Sequence, residues 1–164
     1  MSPRMPIHLP NLLSGARLAA APALLALAWN GLADAFLALF ALALATDVLD
    51  GIAARRLGLE SEFGARLDQW GDFAVWLALP FGAWWLWPEV VVREAAFITV
   101  ALVAMVAPTA IAYAKYGEVP GYHTWSVKLG ANLMGVAVAL LLLFDLAAPF
   151  RAAALFQIVC GLDE

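Results

Sequence analysis

Residues 47–72 read DVLDGIAARRLGLESEFGARLDQWGD, and they are flanked by FLALFALALAT at 36–46 and FAVWLALPFGAWWL at 73–86. Two apolar stretches therefore converge on a short polar connection that carries four aspartates, Asp47, Asp50, Asp68 and Asp72. Asp47 and Asp50 are three residues apart, Asp68 and Asp72 four, so on helices each pair shares one face. Two neighbouring antiparallel helices would aim all four carboxylates at one point. Without these four, the 13 acidic residues fall to a number equal to the 9 basic ones, so they account for the whole net charge of −4.

The rest of the chain explains why that cluster is anomalous. Its 164 residues are 65% hydrophobic and 13% charged, whereas a soluble domain averages ~45–50% and ~25%. That excludes a water-soluble globule, and the absence of a basic excess argues against nucleic acid as a partner. Apolar stretches run from Leu12 to Trp29, Leu32 to Ala54, Leu67 to Trp87, Ala95 to Tyr113 and Val127 to Phe144. At ~20 residues per span, this predicts an all-α, polytopic membrane helical bundle forming one domain over 1–164, with five full spans. The stretch 150–159 reaches only ~15 Å and is expected to be a short or truncated sixth helix. Arg17 followed by AAAPALLALAW at 19–29 looks like a signal peptide, but the further spans argue that it stays as the first helix.

Arg4, Arg17, Arg55, Arg56, Arg66, Lys115 and Lys128 fall on one side of these spans, and only Arg93 and Arg151 on the other. Basic residues are retained on the cytoplasmic side, which puts the amino terminus and the aspartates there. Trp29, Trp84, Trp85 and Trp87 then mark the outer interface, and Tyr113, Tyr116 and Tyr122 the inner one. Asp34, Glu89, Glu94 and Asp145 read as solvated outer ends, and His8 and His123 as interfacial. The single cysteine, Cys160, has no partner for a disulfide.

Counting from the outer markers at ~1.5 Å per residue, the aspartates lie ~18–26 Å in, beneath the cytoplasmic edge of a ~30 Å core. An ionised Asp at mid-bilayer costs ~2.5–3.5 kcal/mol, so four need compensation. Hard divalent cations supply it: Mg²⁺ accepts carboxylates, keeps waters and takes substrate phosphate. An intramembrane ion or proton pathway also uses such acids and stays open on spacing alone. Gly51 and Ala54 leave a smooth patch for close approach, and Arg55 offers a planar donor fork suited to phosphate. A proton relay needs neither.

Asp47, Asp50, Gly51, Ala54, Arg55, Gly64, Asp68 and Asp72 together fill every fixed position of the pattern D-x-x-D-G-x-x-A-R-x8-G-x3-D-x3-D. The chain thereby resembles the CDP-alcohol phosphatidyltransferase family. The likeness extends to Leu9-Pro10-Asn11-Leu12-Leu13 and Arg17, similar to the family's opening P-N-x-x-T/S-x-x-R, with Ser14 near the hydroxyl position. A prenyltransferase also joins aspartates, Mg²⁺ and a lipid pyrophosphate, but its motifs lack the D-G-x-x-A-R core.

The resemblance implies that Asp47, Asp50, Asp68 and Asp72 hold one or two Mg²⁺ or Mn²⁺ ions against the pyrophosphate of CDP-diacylglycerol, with Asp72 as general base. It implies contacts to the CDP-lipid from Gly51, Ala54, Arg55, Ser61, Gly64 and Asn11. The expected reaction moves a phosphatidyl group to the hydroxyl of a small alcohol and releases CMP, in phospholipid biosynthesis. Lys128 and Arg17 are candidates to meet the acceptor. Membrane lipid and a second copy of the chain, as a homodimer, are further expected partners, and a bacterial inner membrane is the expected setting.

Overall fold

The computed structural model describes residues 9–57, 62–116 and 125–162; within its helices, the side chains of 9–14, 47–57, 62–63, 65–68, 108–109, 112–113, 116, 125–128 and 161–162 are outside the described residues. The described residues form helices and turns, with no strand among them. They divide into two compact units, 1–86 and 87–164.

The first unit holds α1 (Leu9–Trp29), α2 (Ala33–Leu57) and α3 (Glu62–Leu86). A tight turn joins α1 to α2. Gly31 adopts φ +70 there, while its N–H reaches the Ala28 carbonyl at 3.0 Å and the Leu32 N–H reaches Leu27 at 3.0 Å. This is the paired bonding that closes a helix through a left-handed residue, a conformation glycine takes without a Cβ penalty.

Helix α1 buries one face, made of Arg17, Ala20, Ala21, Leu24 and Ala28, and α3 buries Gly71, Val75, Ala78, Leu79, Gly82 and Ala83. Both sets recur every three or four residues, which is the helical period. Small side chains along both faces let the backbones approach closely. Contacts at 17 with 72, 28 with 82 and 29 with 85 show that α1 and α3 run parallel. Helix α2 runs the other way and meets α3 through its aromatic side chains. The Phe36 ring lies over Gly82, where an added Cβ would stand 2.5 Å from Phe36 Cε2, and Phe40 meets Trp76 edge to face at 6.5 Å.

The second unit holds α4 (Pro88–Arg93), α5 (Ala95–Tyr116), α6 (Trp125–Phe144) and α7 (Ala147–Leu162). Helix α7 packs against both α5 and α6. Helices α6 and α7 form an antiparallel pair around Met134, Ala137, Leu141, Phe150, Ala153 and Ala154, all buried, and Gly130 lies against the buried Cys160 and Phe156. Asp145, at φ 54, makes the turn between them; Asp is among the few residues that tolerate this region.

The five long helices cover the five apolar stretches expected from the sequence. Two features differ. Helix α4 was not anticipated; it begins with Pro88 at its first position, where a missing N–H and fixed φ suit a helix start. The last helix begins at Ala147, not at Phe150, and runs for 16 residues, because Pro149 falls in the first turn where no intrahelical N–H is required. Among the described residues, no helix is long and apolar enough to cross a membrane.

Glu94 is a clear correction. It is not a solvated end but fully buried, at the joint between α4 and α5. Arg151 on α7 donates from Nε and Nη2 to its carboxylate, both at 2.8 Å, and Arg93 Nε adds a third bond at 3.0 Å. Arg93 also grips Asp145 with both terminal nitrogens. Burial of a lone carboxylate would be prohibitive, and these donors reverse its consequence. The bonds from Arg151, opposed by burial and helped by Arg93, hold the Glu94 carboxyl below its usual range. Arg93 correspondingly lowers Asp145. The Arg151 guanidinium also lies 5.5 Å from the Phe97 ring centroid, a cation–π distance.

Candidate functional site in the first unit

The aspartate segments lie on α2 and α3, whose register can be read from their contacts. Phe36 lies at Gly82 and Phe40 at Trp76, so positions ascending along α2 meet positions descending along α3. At ~1.5 Å per residue on both helices, that register brings positions 47 and 50 level with the stretch 66–71. Asp68 lies within that stretch and Asp72 adjoins it. Helices carrying i,i+3 and i,i+4 aspartates thus run antiparallel with those positions at a common level.

Of the sequence-derived site residues, Asp72, Arg17 and Gly64 have described side chains or positions. The side chains of Asp47, Asp50, Ala54, Arg55, Asp68, Asn11 and Lys128 fall outside the described residues, Gly51 is described only as part of α2, and Ser61 lies outside them altogether. Among the described residues, no group of three or more His, Cys, Asp or Glu side chains could hold a metal ion. Of the four aspartates, only Asp72 has a described side chain.

Asp72 is met by Arg17. The guanidinium Nη1 donates to Oδ1 at 2.8 Å, joining α1 to α3 across 55 residues of chain. The two partners differ in exposure: the Arg17 side chain is 2% accessible and that of Asp72 38%. Arg17 therefore stands behind Asp72, inside the small-residue seam, and Asp72 faces outward. Spacing alone does not pair them; the signal in the sequence is a basic residue inside an apolar helix.

A donor set of four carboxylates offers oxygen ligands alone, the chemistry that Mg²⁺ and Mn²⁺ prefer over softer metals. Gly64, near the start of α3, keeps the backbone free of a side chain two residues after Glu62 opens the helix.

Over 141 residues the chain is 29% identical to a protein named "Probable phosphatidylglycerophosphate synthase" in Mycobacterium tuberculosis, found in two strains. The alignment takes in 77% of this chain and 62% of each relative, so the chain spans less than two thirds of the length of the curated relatives it matches. No solved structure matches it. The family description "CDP-alcohol phosphatidyltransferase" matches residues 7–161, across both compact units. The chain belongs to the CDP-alcohol phosphatidyltransferase family.

Proposed function

We propose that this protein is an integral membrane transferase that passes a phosphatidyl group from CDP-diacylglycerol to the hydroxyl of a small alcohol, releasing CMP. The complete eight-position pattern from Asp47 to Asp72 carries the reading, and family membership over 7–161 supports it. A phosphorylated acceptor is favoured, because Arg66, Lys115 and Lys128 put basic side chains on the aspartate side of the spans. Glycerol 3-phosphate comes first, in line with the name of the Mycobacterium tuberculosis relatives.

The membrane setting rests on the sequence as a whole, 65% hydrophobic with a mean hydropathy of +0.86. Its five long apolar stretches of sequence, and not the apolarity of any described helix, support this setting. The basic-residue asymmetry orients the amino terminus and the aspartates to the cytoplasm, in a bacterial inner membrane.

Asp47, Asp50 and Asp68, with Asp72 at the edge, are the residues that would hold one or two divalent cations. Divalent cations held there would supply charge neutralisation at the pyrophosphate and so favour departure of CMP. Arg55 gives the nucleotide phosphate a forked donor, Gly51 and Ala54 admit it close to the backbone, and Ser61, Gly64 and Asn11 complete the CDP-lipid contacts. Asp72 takes the proton of the acceptor hydroxyl as its oxygen bonds to the phosphorus bearing diacylglycerol. The bond from that phosphorus to the CMP oxygen breaks, and CMP leaves with the electron pair. Lys128 meets the anionic group of the acceptor.

Purified full-length protein in liposomes, given CDP-diacylglycerol, Mg²⁺ or Mn²⁺ and a panel of alcohols, is expected to release CMP only with metal and fastest with glycerol 3-phosphate. No metal-dependent CMP release with any acceptor would end the transferase reading. Fastest turnover with an uncharged alcohol would end the anionic-acceptor assignment alone.

A further inference from the structure

Resting on the transferase reading above, we infer that Arg17 is a positioning residue that holds the Asp72 carboxylate in place for proton abstraction, and does not itself meet the acceptor. The ion pair is direct, from Nη1 to Oδ1 at 2.8 Å. Its asymmetry decides the assignment. Arg17 is 2% accessible and walled by the α1 and α3 seam, whereas Asp72 keeps 38% of its side chain open. A substrate approaching this end of the seam meets the carboxylate first, and the guanidinium behind it has little surface left to offer an acceptor phosphate.

A carboxylate on a helix can turn about two side-chain bonds, and a base must lie within hydrogen-bond reach of the proton it removes. Fixing one oxygen from behind removes that freedom and leaves the group aimed outward. The attachment comes from α1, which carries no aspartate of the pattern. Through Arg17 the opening helix of the chain thereby becomes part of the geometry of the base. Guanidinium suits this post because it stays charged when buried and reaches further than the lysine ammonium.

The test uses the full chain in liposomes, with kcat and KM for CDP-diacylglycerol and for acceptor measured separately. Wild-type CMP release is confirmed first. A misplacement of about 1 Å costs roughly a hundredfold in rate, so Arg17→Gln is expected to lose about that much kcat while both KM values stay within about threefold. Arg17→Lys keeps the charge but shortens the reach, and its kcat is expected to fall about three- to thirtyfold, between the other two. This graded order at constant KM is what a merely structural role would not produce. If Arg17→Gln does not yield folded protein, the lysine variant decides on the same criterion. A wild-type kcat in a folded variant, or a loss confined to acceptor KM, overturns the inference while the transferase reading stands. No CMP from the wild type overturns both.

Discussion

Replacing Arg151 with Met removes two of the hydrogen bonds that Glu94 receives, both at 2.8 Å, and leaves the 3.0 Å bond from Arg93. The carboxylate stays fully buried. Leaving a buried acceptor short of donors costs ~1–3 kcal/mol. The Arg151 side chain is 45% accessible and Arg93 stays bonded, so the low end applies, about 1 kcal/mol. For a chain of this size each kcal/mol moves Tm by ~2–4 °C, so the fall should be roughly 2–4 °C. Thermal unfolding in detergent, followed by tryptophan fluorescence, measures it. Adding Glu94→Gln to the Arg151→Met background removes the stranded charge and should recover part of the loss. The pH dependence has a definite sign. Arg151 and Arg93 hold Glu94 below its ordinary range, so the pair's contribution is full above the unfolded value of ~4.3. It disappears as pH falls through the depressed folded value. The gap between wild type and Arg151→Met should therefore be widest at neutral pH and close below about pH 4. A Tm unchanged at pH 7, or a gap that widens on acidification, would refute the reasoning.

Two further perturbations address the first unit. In Gly82→Ala the new methyl would stand 2.5 Å from Phe36 Cε2 and 2.8 Å from Cζ, and Phe36 is fully buried. Strain of ~1–3 kcal/mol should exceed the ~1 kcal/mol gained in helix propensity, lowering Tm; in a Phe36→Leu background the same change should raise it, and a uniform sign in both backgrounds would contradict the close approach. Asp50→Asn should weaken both Mg²⁺ and CDP binding in calorimetry, while Asp72→Asn should abolish turnover yet keep much of both. Equal binding loss in the two variants would remove the division between metal ligand and base.

The five long helices were legible because each follows an apolar run of sequence closed by Gly, Pro or charge. That positions 47 and 50 fall on one helix and 68 and 72 on the next was legible for a similar local reason, the apolar runs that flank them. What escaped depends on distant partners. Glu94 sits beside Arg93 between two apolar stretches and reads as a wet end; Arg151, 57 residues on, together with Arg93 makes its burial tolerable. Arg17 likewise reads as a basic residue near the cytoplasmic side until α3 places Asp72 against it. Helix α4 is six residues long, too short for any periodicity to register, and Pro149 marked a boundary three residues late because proline is permitted in an opening turn.

The seam between α1 and α3 is lined largely by alanine and glycine, and such a surface has little relief. Slid by one turn, about 5.4 Å, Ala20, Ala21 and Ala28 would find much the same company. Axial register must therefore come from elsewhere, and the seam carries two markers that do not tolerate a slip. At one end the Arg17 and Asp72 charges touch at 2.8 Å; at the other Trp29 meets Trp85 edge to face with centroids 5.2 Å apart. They are twelve residues apart on α1, ~18 Å along its axis, so together they act as a two-point gauge that fixes both sliding and rotation. A smooth, close-packed rail with indexed ends allows the backbones to approach as nearly as alanine permits while still delivering a carboxylate to one address.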